Sequence, residues 1–329
     1  MKIFENVYLF EKRTYNERTT NIRCLNIVDD PKHAFWVVFK SYDFTSEQFD
    51  DKFTHFLNQS KKCLIDNSAE LTSPDLVDFL IGHDKLNTVT LLTNGFRKVD
   101  IEKIDELVDK GCEIIQEDFF IKYGHEYYQP IFTINKPQYK NFLILNGKPK
   151  PYRTILTSLL YEEGLDEYGY ISYFHSDLRG DFYPEKCEDV FDLNLNEELE
   201  NKVKTGLDIM GGDKILDTHN FNYSVSHMRD YNADYYGAVD FVVVPESDIE
   251  EGIRFITEKT LKVIQQNKKF ILLSSSGMLK ETKRVYYDLY GIDISHLTDW
   301  CDTSYDDITD TLERTLKIKD IISNILSNS

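Results

Sequence analysis

Two short basic segments have the residue types and the positions that an anion-binding site requires. The first, residues 146–153 (NGKPKPYR), contains Lys148, Lys150 and Arg153 and no acid, and it separates an apolar run from a helix-like stretch. A helix N-terminus offers unpaired N–H groups and a partial positive charge, and a guanidinium can bind two phosphate oxygens at once. The segment therefore predicts a diphosphate clamp that includes Asn146, Lys148 and Arg153. The alternative is a basic loop in which Arg153 pairs with a surface acid.

The second segment, residues 257–269 (TEKTLKVIQQNKK), contains four lysines and no acid after Glu258. It also follows an apolar run and a loop, and Thr257 is a candidate N-cap and donor-site residue. Glu258 would complement the helix dipole, or it would accept hydrogen bonds from sugar or ribose hydroxyls while Lys259 contacts phosphate. Two such segments at strand-to-helix turns of an acidic chain favour an anionic diphosphate ligand.

Acidic residues that follow predicted strands are candidates for contacts with hydroxyl groups. Glu246 and Ser247 come soon after the apolar run 241–244, at the carboxyl edge of a predicted sheet. Glu246 would hold a donor sugar or ribose there, or it would be a solvated loop acid. Asp66 and Glu70 follow a strand-like run in the same way. Either could be the general base for an acceptor hydroxyl, although Asx-turn and N-cap roles compete.

The elements that would position these residues alternate between β-rich runs and amphipathic stretches. Such alternation predicts βαβ units and an α/β fold with mainly parallel sheets. Residues 122–140, with two prolines and four tyrosines, predict a connection between two domains, residues 1–138 and 139–329. The predicted strands are residues 35–39, 62–66, 89–92, 113–115, 141–145, 241–244 and 270–273, and the predicted helices are residues 45–57, 73–81, 100–110, 151–163, 257–267, 278–290 and 305–326.

Composition argues against several classes of function. The chain has 329 residues, 41% of them apolar, and its net charge of −19 disfavours extended nonspecific DNA binding. No apolar run is long enough to span a bilayer, and the five cysteines form no C-x-x-C pair, so a cytoplasmic location without a structural metal is expected. Phosphate-binding glycine motifs and a metal-bridging Asp-x-Asp are missing. The acidic run 299–310 (DWCDTSYDDITD) predicts a solvated helix start.

Three stretches resemble a known group of enzymes. Residues 141–165 (NFLILNGKPKPYRTILTSLLYEEGL) are similar to the opening of the donor domain in fucosyltransferase-like glycosyltransferases of the GT-B fold. FVVVPES and the later ITEKTLKVIQQNKKFILLSSSGML resemble the T-E-K segment of the same enzymes. DTSYDDITDTLERTLKI resembles the ending of uncharacterised phage and giant-virus glycosyltransferases. The resemblance covers residues 141–179 and 239–318.

This resemblance implies a GT-B-like fold, in which two Rossmann-like domains with mainly parallel sheets face a central cleft. The first domain would bind the acceptor, the second would bind a nucleotide sugar, and the last helix would pack back on the first domain. Transfer would be inverting and metal-independent, with a UDP- or GDP-sugar as donor and no cofactor. Arg153 and Lys259 would contact the diphosphate, Glu258 the ribose and Glu246 the donor sugar. Ser247 stands where fucosyltransferases commonly carry Asn.

Three hypotheses about function stay open at this point. The first is a glycosyltransferase that acts on a glycan or a small molecule, which the acidic charge favours. The second is a phage enzyme that glycosylates hydroxymethylated DNA bases, such as hydroxymethylcytosine, in the host cytoplasm; it would need a local basic groove and base flipping. The third is a non-catalytic module that binds a glycan or a nucleotide. A steep loss of activity with salt would indicate the DNA substrate.

Overall fold

Two units, each built on a parallel sheet, make up the chain. The first consists of Met1–Tyr127 with Ile253–Phe255, and the second of Tyr128–Gly252 with Ile256–Ser329. The first boundary between the units therefore lies between Tyr127 and Tyr128, a short way before the boundary expected from the sequence, between residues 138 and 139. The computed structural model describes residues 34–38, 62–67, 71–83, 86–96, 99–116, 129–131, 137–147, 149–175, 186–214, 216, 230–247, 249 and 255–328.

The first unit contains a sheet of four strands, which are β1 (Ala34–Val38), β2 (Lys62–Asn67), β3 (Val89–Thr93) and β4 (Glu113–Gln116). The strands are parallel and lie in the order β1-β2-β3-β4. Parallel neighbours need crossover connections, and the described crossovers contain the helices α1 (Pro74–Ile81) and α2 (Ile101–Asp109). Ser73 caps α1, since its Oγ accepts a hydrogen bond from the N–H of Leu76.

The core of the first unit lies where the two helices pack on the sheet. The predicted strands at 62–66, 89–92 and 113–115 and the predicted helices at 73–81 and 100–110 are confirmed. The helix predicted at 45–57 lies outside the described residues. The core side chains are Ile65, Leu76, Val77, Leu80, Leu86, Val89, Leu91, Leu107 and Cys112.

The second unit contains another parallel sheet, formed by β6 (Lys140–Leu145), β7 (Gly169–Ser172), β9 (Val239–Pro245) and β10 (Lys269–Leu273). The order across this sheet is β10-β9-β6-β7, and each neighbouring pair is parallel. Its strands are rich in fully buried apolar side chains, as expected for a sheet that is covered on both faces. A separate parallel pair consists of β5 (Gln129–Ile131) and β8 (Asp230–Asn232).

Seven described helices accompany the sheets of the second unit, and the last of them packs within that unit. Its side chains Leu312 and Leu316 contact the cluster around Ile155 and Leu159, and Lys319 Nζ lies 2.7 Å from a carboxylate oxygen of Glu163. Packing of this helix on the first domain stays a prediction. The helices are α3 (Pro151–Glu162), α4 (Glu197–Met210), α5 (Ala233–Gly237), α6 (Glu258–Gln265), α7 (Met278–Tyr290), α8 (Ser295–Thr298) and α9 (Thr311–Ser327).

The acidic run 299–310 provides a buried helix cap rather than only a solvated helix start. The buried Asp306 carboxylate accepts hydrogen bonds from the N–H groups of Leu279 and Lys280, at 2.9 and 3.1 Å, in the first turn of α7. Burial raises the pKa of Asp306. The Tyr305 hydroxyl accepts a hydrogen bond from the N–H of Leu272 in β10, at 3.1 Å. The prediction of solvation is therefore wrong for Tyr305 and Asp306, because both satisfy main-chain donors.

Helices alternate with parallel strands in both units, which confirms the α/β class with mainly parallel sheets. The GT-B arrangement of two such domains about a cleft stays a prediction. Within the described ranges, none of the helices has the length and apolar character needed to cross a membrane.

The close approach of α4 to α3 depends on Gly206. A Cβ added at Gly206 would lie 1.9 Å from the carbonyl oxygen of Ser158 in α3. We expect Gly206→Ala to lower the free energy of unfolding by at least about 2 kcal/mol, because the main chain of one helix must shift. Chemical denaturation measures the change, with Gly237→Ala as control, since an added Cβ there meets nothing within 4 Å. Equal stability of the two variants would contradict this account of the helix contact.

Candidate functional site

The second sheet has a topological switch point between β6 and β9. From β6 the chain passes through α3 to β7 on one side, whereas from β9 it passes through α6 to β10 on the other side. The connections that leave β6 and β9 therefore diverge at the carboxyl edge of the sheet. In open α/β sheets, ligands bind in the crevice that such a divergence produces.

Arg153 joins the start of α3 to the end of β9 at this switch point. Its side chain is 3% exposed, and its Nη2 donates hydrogen bonds to the carbonyl oxygens of Pro245, at 3.0 Å, and of Glu246, at 2.7 Å. The Tyr152 hydroxyl donates to the same Glu246 carbonyl at 2.6 Å. The guanidinium thus places a positive charge at the switch point and, at Nη2, holds the main chain of β9 in place.

The side chain of Glu246 is fully buried, so Glu246 is not a solvated loop acid. Its Oε1 accepts hydrogen bonds from the Thr257 N–H, at 3.0 Å, and from Thr260 Oγ1, at 2.5 Å. Its Oε2 accepts a hydrogen bond from Thr257 Oγ1 at 2.5 Å. Both carboxylate oxygens therefore tie the end of β9 to the beginning of α6. A contact between Glu246 and a donor sugar stays a prediction.

Lys259 lies beside the residues that Arg153 anchors. Its Nζ donates a hydrogen bond to Ser247 Oγ at 2.8 Å and lies 3.3 Å from Thr257 Oγ1. Thr257 is the N-cap of α6, as the sequence predicts, because its Oγ1 accepts a hydrogen bond from the Lys259 N–H. The Lys259 side chain remains 23% exposed. An ammonium group and the N-terminus of a helix therefore meet at the surface of this edge.

Glu258 is ionised beside this ammonium group. Its carboxylate lies 3.4 Å from Lys259 Nζ and is 28% exposed. Partial burial by itself would raise the pKa of Glu258, but the charges of Lys259 and Lys262 lower it to about 2. Glu258 therefore contributes stability above the pKa of an unfolded glutamate, and this contribution is lost as the pH falls towards 2. At neutral pH the carboxylate can accept hydrogen bonds from hydroxyl groups.

Two buried polar atoms flank Glu246 at the ends of the neighbouring strands. Asn146 follows β6, and its Nδ2 donates a hydrogen bond to Thr157 Oγ1 at 3.1 Å. Within the described part of the chain, Asn146 Oδ1 and Ser274 Oγ have no hydrogen-bond partner. Sequence reasoning missed Ser274, although the run Ser274–Ser275–Ser276 after a strand was its signal. A buried polar atom without a partner costs about 1–3 kcal/mol, so both atoms suit hydrogen bonds to a ligand.

The structure brings together most of the residues predicted for donor binding. Direct contacts link Arg153, Glu246, Ser247, Thr257, Glu258 and Lys259. The Asp66 main chain lies in β2 of the first unit, and its side chain is outside the described part. Lys148 and Glu70 also lie outside the described residues. Among the residues that the structure describes, no group of three or more His, Cys, Asp or Glu side chains is placed to hold a metal ion.

Comparison with known proteins does not assign a function to these residues. No protein-family model, no curated protein and no solved structure matches the chain.

The hydrogen bonds to Glu246 predict that Thr260 stabilises the fold. We expect Thr260→Val to lower the free energy of unfolding by about 1.5–3 kcal/mol, because a buried carboxylate loses one of its donors. Chemical denaturation measures the difference. Thr282→Val is a matched control, because the buried Thr282 hydroxyl donates only to the Met278 carbonyl of its own helix among its described contacts. A Thr260 variant that is no less stable than the Thr282 variant would contradict the proposed role of Glu246.

Proposed function

We propose that the chain is a glycosyltransferase that transfers a sugar from a nucleoside diphosphate sugar to an acceptor hydroxyl. One observation carries the proposal: two cationic helix starts meet at the switch point of the second sheet. Arg153 in α3 contacts Glu246 O at 2.7 Å, and Lys259 in α6 contacts the next residue, Ser247, at 2.8 Å. Although Glu246 and Glu258 lie beside them, two cations at a sheet edge where ligands bind favour an anionic ligand in a chain whose net charge is −19.

The diphosphate would lie against the N-terminus of α6. The side chain of Lys259 is partly exposed, so its Nζ would contact a phosphate oxygen, and the partial positive charge at the start of α6 would attract the diphosphate. Arg153 would act mainly through its charge, because its Nη2 already donates to two carbonyl oxygens. Positive charge at this position would stabilise the nucleoside diphosphate as it leaves.

Hydroxyl groups of the ligand would bind to the polar atoms around the diphosphate. The ionised Glu258 would accept hydrogen bonds from ribose, which agrees with its low pKa of about 2. Asn146 Oδ1 and Ser274 Oγ, which are buried and have no partner among the described residues, would contact the sugar or the ribose. These contacts bind and orient the donor.

Transfer itself requires a base for the acceptor. The acceptor oxygen would form a bond to the anomeric carbon while the bond from that carbon to the diphosphate oxygen breaks. The acceptor proton would pass to a carboxylate, for which Asp66 and Glu70 are the sequence candidates. The resulting inversion needs one carboxylate and no covalent intermediate.

A nucleotide-binding module without transfer activity is the second candidate. The observation that favours it is the structural use of two of the site's charged residues. Both carboxylate oxygens of Glu246 accept hydrogen bonds from the start of α6, and Arg153 Nη2 donates to the main chain at the end of β9. Both candidates require the same nucleotide site, so turnover distinguishes them.

Thermal unfolding with UDP-, GDP-, CMP- and dTDP-sugars tests the proposal. We expect one donor to stabilise the protein, by about 2.7 kcal/mol at 100 times its dissociation constant. Lys259→Met should weaken binding of that donor at least about tenfold, because a hydrogen bond to a charged phosphate is lost. Lys202→Met, which changes an exposed lysine of α4, is the control and should bind like the parent.

Two results would contradict the proposed function. If no nucleotide sugar stabilises the protein, or if Lys259→Met binds the donor as tightly as the parent does, the nucleotide site is wrong. If the donor binds but no nucleoside diphosphate is released with any acceptor or with water, the module without transfer activity is the better account.

A further inference from the structure

Polar side chains without charge form one row at the carboxyl ends of β2, β3 and β4 in the first unit. Asn67, Thr93 and Gln116 are register partners on neighbouring strands, so they lie side by side. Asn94 follows Thr93 directly, and Thr72 joins them through its hydrogen bonds. We call these five residues the amide row. Gln116 is exposed, whereas each of the other four side chains is at most 2% exposed.

The hydroxyl groups of the amide row are satisfied within the protein. Thr93 Oγ1 donates a hydrogen bond to the Gly95 carbonyl at 2.7 Å and lies 2.7 Å from Thr72 Oγ1. Thr72 is therefore the donor to Thr93, and Thr72 Oγ1 accepts a hydrogen bond from Asn67 Nδ2 at 3.0 Å. This sequence of bonds fixes which atom of the Asn67 amide is the nitrogen.

Three amide atoms of the row lack a hydrogen-bond partner among the described residues. They are Oδ1 of Asn67 and both Oδ1 and Nδ2 of Asn94. If the oxygen and the nitrogen of the Asn94 amide exchanged places, both would still lack a hydrogen-bond partner among the described residues. Buried polar groups in folded proteins are almost always hydrogen-bonded. These atoms therefore indicate a bound group that both donates and accepts hydrogen bonds.

We propose that the amide row binds a neutral saccharide through Asn67 and Asn94. Sugar hydroxyls both donate and accept hydrogen bonds, as the primary amide of Asn94 does. A phosphate or a carboxylate would find no cation in the row and would oppose two carbonyl oxygens. The site lies at the carboxyl edge of a parallel sheet, where ligands of α/β proteins bind. Gln116, at the end of the row, is exposed, and its Nε2 donates a hydrogen bond to the Asn94 carbonyl at 3.1 Å.

This site is independent of the nucleotide site, because only residues of the first unit take part. Saturation-transfer NMR tests the saccharide site. The full chain is titrated with the methyl glycosides of glucose, galactose, mannose and N-acetylglucosamine. At least one glycoside binds, and Asn67→Ala and Asn94→Ala bind it at least about tenfold more weakly, because hydrogen bonds to the sugar are lost. Asn87→Ala is the matched control: it removes an exposed amide of the same unit and keeps the parent's affinity.

A second comparison uses the unchanged protein, so it does not depend on the folding of any variant. The methyl glycoside that binds does so at least as tightly as the 6-phosphate of the same glycoside, because the amide row has no charge to attract the phosphate. Tighter binding of the phosphate overturns the inference. It is also overturned if no glycoside binds, or if both asparagine variants bind like the parent, since water alone then satisfies the amides. None of these failures affects the nucleotide-sugar proposal, because no nucleotide is present.

Discussion

The hydrogen bonds from Arg153 to the main chain at the end of β9 determine the geometry of the second unit's candidate site. The carbonyl groups of Pro245 and Glu246 are buried at the point where the strand ends, and such groups need donors. Arg153 Nη2 supplies both. These bonds fix the main chain where it leaves the sheet, so they also fix the position from which the Glu246 side chain extends. That carboxylate then binds the first turn of α6 and so places Lys259.

The charged residues around this anchor have two roles: Glu246 organises the site, and Lys259 remains partly exposed to a ligand. Glu246 is enclosed by three donors from Thr257 and Thr260. Glu258 stays ionised beside Lys259, which keeps part of its side chain in solvent. At the next strand-to-helix turn, Asp306 occupies the first turn of α7. A buried carboxylate therefore binds both helix starts, Glu246 at α6 and Asp306 at α7, and the start of α6 differs in carrying the partly exposed Lys259.

The sequence predicted most of the strands and helices and the edge at which the candidate site lies, but it missed β7 and α4, placed the start of α9 too early, and did not predict the role of each side chain. Apolar runs mark the parallel strands, and polar residues just beyond them must share one edge, which brings residues 153, 246 and 259 together. Burial of Glu246 depends on the return of the chain at Thr257, and the cap at Asp306 joins segments 27 residues apart. No local pattern encodes such contacts. The same holds for Asn94 and Ser274, since small polar residues are common at strand ends.

The central claim is that the carboxyl edge between β6 and β9 binds the diphosphate of a nucleotide. A crystal structure with bound UDP or GDP tests it most directly. The account predicts a phosphate oxygen about 2.7–3.2 Å from Lys259 Nζ, beside the start of α6. A nucleotide bound elsewhere on the chain, with the contacts of Lys259 to Ser247 and Thr257 unchanged, would contradict it.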